Sequence, residues 1–220
     1  MSSLVRVVLV GATVVVAAWA GVEAQPVGRP VVGAVQRPVA ERPVAERPVV
    51  RQPVVVDPGT LPQTRVLPRA DQEFQGRLRA LWQGIVDDRP EEARAFFFPK
   101  AAYVRLKDLG DAGRDYDYRL VGYFDLDVHA AHRLLGAGAG RAQLVGMAVP
   151  GGSAQWMPPG SEENKIPYYR VYGSRVEYML DGKPHSFGVF SMLSWRGQWY
   201  AVHFGPWPRW ERYGDVLQPR

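Results

Sequence analysis

The chain of 220 residues contains no cysteine. Structural disulfides, thiolate nucleophiles, Cys-ligated zinc and a lipid-modified N-terminal cysteine are therefore excluded. No compartment follows from this, because an exported domain of this size can bury enough core to do without disulfides. A Gly-x-Ser-x-Gly elbow is missing, and so is a phosphate loop. The one glycine-rich run, "GAGAGRA" from Gly136, follows an expected helix and precedes an expected strand. A phosphate cradle needs the reverse order. A basic stripe is lacking too, although net charge is +5 and the pI about 9.6. Residues 25–70 carry seven Arg against three acids, while residues 71–220 carry 19 Lys/Arg against 18 Asp/Glu. The excess sits outside the folded part, so nucleic acid is not an expected partner.

The one long apolar run is N-terminal. In "MSSLVRVVLVGATVVVAAWAGVEAQP", Arg6 precedes sixteen uncharged residues, Val7 to Val22, and "VEA" ends at Ala24. This is the layout of a signal peptide (1–24) cleaved after Ala24. The run is shorter than the roughly 20 residues that span a bilayer. If uncleaved, it is the chain's only expected membrane contact. Without a twin arginine, the general secretion route is expected, and the location is secreted or cell-envelope associated.

Residues 25–69 hold nine prolines, with the unit in "RPVAERPVAERPVV" (Arg37 to Val50) repeated almost perfectly. Proline fixes φ, restricts the preceding residue and removes a ladder donor. A disordered or polyproline-II linker is expected, reaching at most about 140 Å at about 3.1 Å per residue. It serves as a spacer or as a ligand for a groove.

Helical periodicity starts after Asp71. Phe74, Leu78, Leu81, Trp82, Ile85 and Val86 make one apolar stripe, with Asp71 as N-cap and Pro90 as stop. "PEEARAFFF" opens a short second helix, "AAYVRLK" reads as a strand, "DLGDAGRDYDY" as a loop, "RLVGYFDLD" as another strand and "VHAAHRLLG" as a helix capped by Gly136. Strands follow: "AQLVGMAV", a short one near Trp156, then a meander of "YYRVYGSRVEYML", "HSFGVFSMLSW" and "WYAVHF" joined by "DGKP" and "RGQ". One meander face carries Tyr172, Val176, Tyr178, Phe187, Val189, Leu193, Tyr200, Val202 and Phe204, and is expected to be the core. The expected fold is α+β: N-terminal helices packed on a twisted, mainly antiparallel sheet over residues 70–206, with a C-terminal tail at 207–220.

This element order resembles the cystatin-like α+β cone, or nuclear-transport-factor-two-like superfamily, over about 71–205. "RLVGYFDLDVHAAHRLLG", "ENKIPYYRVYGSRVEYMLDG" and "SMLSWRGQWYAVHFGPWPR" are similar to segments of an uncharacterised family of secreted actinobacterial proteins. That family implies no activity. The cone superfamily includes isomerase-like enzymes and many non-enzymatic modules, so fold alone does not decide function.

Candidate chemistry is thin. Asp125, Asp127, His129 and His132 in "DLDVHAAH" offer metal-type ligands without a metal-site spacing, and a solvated strand-to-helix junction capped by Asp127 is the expected arrangement. Neither a metal site nor a cofactor is expected. His203 is expected near Phe190 and Gly173, with Arg175 and Glu177 further along the same face, where a general base or a locally satisfied side chain are both open. Trp195 and Trp199 flank a turn and are expected to pack together. Trp207 is expected to fold back, whereas Arg209, Trp210 and Arg212 form the candidate partner surface. The favoured function is an exported, non-catalytic binding or interaction domain for an unknown envelope component or a small apolar ligand. The alternative is a cone-fold enzyme of isomerase or hydrolase type, with His203 or an aspartate as general base.

Overall fold

A computed structural model describes residues 57–209 and 211–220. The expected signal peptide (1–24), residues 25–56 and Trp210 lie outside the described residues. Among the described residues, no helix is long and apolar enough to cross a membrane.

Helix α1 (Gln72–Val86) begins where the sequence places it. Asp71 Oδ1 accepts the Phe74 amide at 2.9 Å, and Phe74, Leu78, Leu81, Trp82 and Ile85 are buried. Pro90 starts α2 (Pro90–Ala93). The chain then runs through Phe96, Phe97 and Phe98, all buried, and each takes a different partner. Phe96 meets Phe74 edge-on at 5.2 Å, Phe97 stacks on Phe124 at 4.3 Å, and Phe98 meets Trp195 and Tyr200. A run of three phenylalanines can serve three packing sites because its backbone leaves the helical state at Phe97 and lies beside Ala201 as a one-residue parallel bridge.

Two expected strands and one expected loop are helical. "AAYVRLK" forms α3 (Lys100–Leu106), which starts after Pro99 and buries Ala102, Tyr103 and Leu106. Its one β-branched residue, Val104, is exposed. "DLGDAGRDYDY" contains α4 (Ala112–Asp115), capped by Asp111, and runs into one π-helical turn (Tyr116–Leu120). "RLVGYFDLD" enters α5 (Val121–Leu135), which continues through "VHAAHRLLG". The stripe Leu120, Phe124, Val128, Ala131 and Leu135 is buried, and its helical spacing outweighs the local alternation that suggested a strand. Gly136 ends the helix at φ +52°.

The sheet contains β1 (Gln143–Ala148), β2 (Gln155–Met157), β3 (Tyr168–Leu180), β4 (Lys183–Trp195) and β5 (Gln198–His203). All pairings are antiparallel, in the order β1-β3-β4-β5, with β2 on the β1 side of β3. The two hairpin turns have two residues each, Asp181-Gly182 and Arg196-Gly197, all with φ between 51° and 76°. That geometry matches the right-handed strand twist. The molecule is α+β, with helices packed on an open antiparallel sheet. Tyr178 meets Trp82 of α1, and Phe204 meets Phe124 of α5. Of the nine expected core residues eight are buried; Tyr172 is 44% exposed. Trp195 and Trp199 are both buried. They do not pair, because Trp199 stands opposite Ser194 and Trp195 opposite Gln198, on opposite faces.

Two boundaries move. The linker expected over 25–69 does not run to the domain. Trp195 Nε1 donates to the Pro58 carbonyl at 2.7 Å, Gln63 donates to the Ser194 carbonyl at 3.0 Å and accepts the Arg196 amide at 2.6 Å. Proline loses its N–H but keeps its acceptor, so a proline-rich composition does not prevent docking. The 207–220 tail is also integral. Leu217 and Gly188 exchange backbone hydrogen bonds at 2.6 and 3.1 Å, and Arg220 and Ser186 do so at 2.8 and 2.9 Å. The segment therefore closes the edge of β4 beyond the end of β5.

Candidate functional site

The buried polar groups are of two kinds. Asp127 lies in the middle of α5 and accepts five hydrogen bonds: two from Arg209 at 2.6 and 2.7 Å, and one each from the amides of Phe204, Gly205 and Asp215. Both side chains of the ion pair are 1% exposed. Arg209 also donates to the carbonyls of Pro206 and Tyr213. This pair ties the C-terminal segment to α5. Arg209 is thus withdrawn from the expected partner surface, because a buried carboxylate one helix away claims both of its terminal nitrogens. Arg212 is exposed and donates to the Tyr118 carbonyl at 3.2 Å. Trp210, the centre of the expected patch, is outside the described residues.

The other residues of "DLDVHAAH" do not converge either. Asp125 pairs with Arg94 at 2.6 Å, His129 Nδ1 with Asp88 at 2.6 Å, and His132 Nδ1 lies 2.9 Å from the Ile85 carbonyl. Each is bound to a different partner, and no oxygen–imidazole cluster forms from them.

The second kind of polar group lines a cleft of about 550 Å³ between the sheet and the α3–α4 region. Its floor contains His203 and Ser191, its walls Tyr172, Phe190, Leu193, Val202 and Trp207, and its rim Lys107, Arg119, Arg170, Asp115, Glu162 and Glu163. A β-bulge places the histidine there. Leu193 faces Tyr200 and Met192 faces Ala201, but Ser191 faces His203, so Val202 is the extra residue. Without the bulge His203 would face Phe190, as the uninterrupted register expects. With it, His203 turns to the side of Ser191 and Tyr172 and away from the expected Arg175 and Glu177. Trp207 folds back and stacks on the imidazole at 4.7 Å and 9°.

Among the described residues, six buried side-chain polar atoms lack a hydrogen-bond partner, and three belong to this cleft: Arg170 Nε, Ser191 Oγ and His203 Nδ1. Native structures leave few such atoms, and each needs a reason. Burial drives the His203 pKa down to about 3, and the nearby charges of Arg119, Arg209, Arg170 and Lys107 push the same way. The imidazole is therefore neutral at physiological pH.

The rim is organised into pairs. Arg119 holds Asp115 with two bonds of 2.6 Å and donates to the Tyr103 hydroxyl at 3.0 Å. Burial alone would raise Asp115, but the Arg119 and Tyr103 hydrogen bonds hold it below the usual carboxylate value. Arg170 is bonded to Glu162, which also accepts the Tyr168 hydroxyl. Lys107 Nζ donates to the Glu162 carbonyl, and no carboxylate of the described residues lies within ion-pair reach of it. Burial holds Lys107 below the ordinary lysine value.

No family model matches the chain, and no curated protein or solved structure does. Fold and site therefore stand on the geometry. Of the expected site residues only His203 lines the cleft. Ser191, Arg170, Arg119 and Lys107 carried no local sequence signal, since they come from β4, β3, the π-helical turn and the residue after α3. Asp115 and Arg119 form an i, i+4 pair, readable only once their segment is recognised as helical.

Proposed function

We propose that this chain is an exported, non-catalytic binding module. In this reading the N-terminal 24 residues direct export, the proline-rich segment spaces the domain from the envelope, and the domain is a cone whose cleft takes a small ligand. The α+β arrangement with its open antiparallel sheet is compatible with the cone family. One observation carries the reading: half of the unpartnered buried polar atoms among the described residues belong to Arg170, Ser191 and His203, which line a single open cleft. A ligand that satisfies them recovers the desolvation already incurred in folding. The test is a fragment library screened by amide chemical shift on the chain from residue 25 onward. Changes clustered on Ser191, His203, Tyr172 and Trp207 support the module. No clustered response to any fragment at millimolar concentration overturns it.

A second reading, a cone-fold hydrolase or isomerase with His203 as base, is favoured by the position of Ser191 opposite His203. The imidazole binds a proton too weakly to serve well near neutral pH, and no carboxylate orients it. Covalent labelling of Ser191 by a fluorophosphonate probe would reverse this preference.

A further inference from the structure

We infer that the cleft selects a small organic anion, a carboxylate on a flat apolar body; this rests on the binding reading above. Three unpartnered atoms bear on the polarity of the ligand. Arg170 Nε carries a hydrogen and can only donate, the Ser191 hydroxyl can donate, and a neutral His203 donates from Nδ1 in one of its two tautomers. A ligand that answers Arg170 Nε must present an acceptor, and further acceptors on it can be met by the Ser191 hydroxyl and by His203 Nδ1.

Charge points the same way. The lining holds three cations, Lys107, Arg119 and Arg170, and three carboxylates, Asp115, Glu162 and Glu163. Two of the carboxylates are engaged by their own guanidinium, Asp115 by Arg119 and Glu162 by Arg170. Glu163 is exposed to water, where its field is screened. Lys107 is half-buried, and its ammonium carries three donors, one of which is used on the Glu162 carbonyl. The charges that bear most on the His203 ring, those of Arg119, Arg209, Arg170 and Lys107, are cationic. The floor, with Ser191 and His203 both buried, is thus rich in potential donors and lies in a mainly cationic field. The ligand body is set by the aromatic lining: Tyr172 meets Phe190 edge-on at 5.4 Å, and Trp207 stacks on His203. Flat rings fit between aromatic walls.

The test uses three probes of one shape: benzoate, benzamide and benzylammonium, titrated by calorimetry and amide shifts into the chain from residue 25 onward. Benzoate binds at least tenfold more tightly than benzamide, and benzylammonium binds most weakly. Raising NaCl from about 50 to about 500 mM weakens benzoate several-fold and leaves benzamide unchanged. Lys107→Met removes most of the benzoate preference, and circular dichroism checks its fold. Should Lys107→Met fail to fold, the salt series on the unaltered chain decides. Equal binding of the three probes in the cleft, or benzoate insensitive to salt, overturns the anion preference while leaving a binding cleft in place. Shifts from none of the probes or of the wider fragment set overturn the binding reading itself.

Discussion

Asp127 and His203 are both buried polar residues, yet they have opposite relations to their surroundings. The first receives five hydrogen bonds, two of them from a bidentate guanidinium. The second receives none, and its cross-strand neighbour Ser191 receives none either. A satisfied group of this kind is architecture, because its removal strands the partner it was holding. An unsatisfied group costs stability in the free protein, and such a cost persists where something outside the chain is to be met. Burial alone does not separate the two cases, whereas counting partners does.

The sharpest way to break this contrast is to strand a charge. Arg209→Ala leaves Asp127 buried without its guanidinium, and about 3–5 kcal/mol of stability is expected to be lost in urea unfolding. The C-terminal segment, including Trp207, is expected to detach with it. A loss below 1 kcal/mol would show the pair to be incidental.

Acid is the next lever, and its sign follows from His203. The folded pKa is depressed to about 3 while the unfolded value is near 6.5. The unfolded chain binds the extra proton between these values, so His203 contributes stability that is complete above about pH 6.5 and lost as pH falls toward 3. Between pH 7 and pH 4 the unaltered chain is expected to lose about 3 kcal/mol more than His203→Phe. Parallel loss in the two chains would refute the buried neutral imidazole.

A smaller effect is expected at the N-terminal boundary. A chain beginning at residue 70 lacks the Pro58 carbonyl that accepts Trp195 Nε1 and the Gln63 contacts at the Arg196 turn. It is expected to be about 1–3 kcal/mol less stable than a chain beginning at residue 57. Equal melting temperatures would restore the linker to its full expected length.

The smallest effect distinguishes the two kinds of polar group most directly. Ser191→Ala removes a hydroxyl that has no partner to strand, so stability is expected to stay the same or rise by up to about 1 kcal/mol. A loss above 1 kcal/mol would mean that the hydroxyl is satisfied in the free protein.

Local chemistry made some of this architecture readable in advance. Asp71 caps the first helix because its carboxylate reaches a free amide three residues on, and Asp181-Gly182 closes the β3–β4 hairpin because both residues tolerate positive φ. The face assignment of the meander followed from strict alternation. Readings failed where a segment's pattern suited both periods. In "RLVGYFDLD" the alternation runs for a few residues only, and the stripe that makes it a helix becomes visible when Leu120 and Phe124 are read together with Val128, Ala131 and Leu135.

Other features depend on distance along the chain. Asp127 meets Arg209 across 82 residues, and nothing near either residue names the other. His203 faces the cleft because of one bulged residue, Val202, in a strand whose hydrophobic pattern reads the same with or without it. Short-range rules are energetic preferences of a few bonded neighbours, and these a sequence carries openly. Which polar groups end up satisfied, and which are left facing a cavity, depends on how the helices, the sheet and both terminal segments share the same space, and that is decided when the whole chain packs.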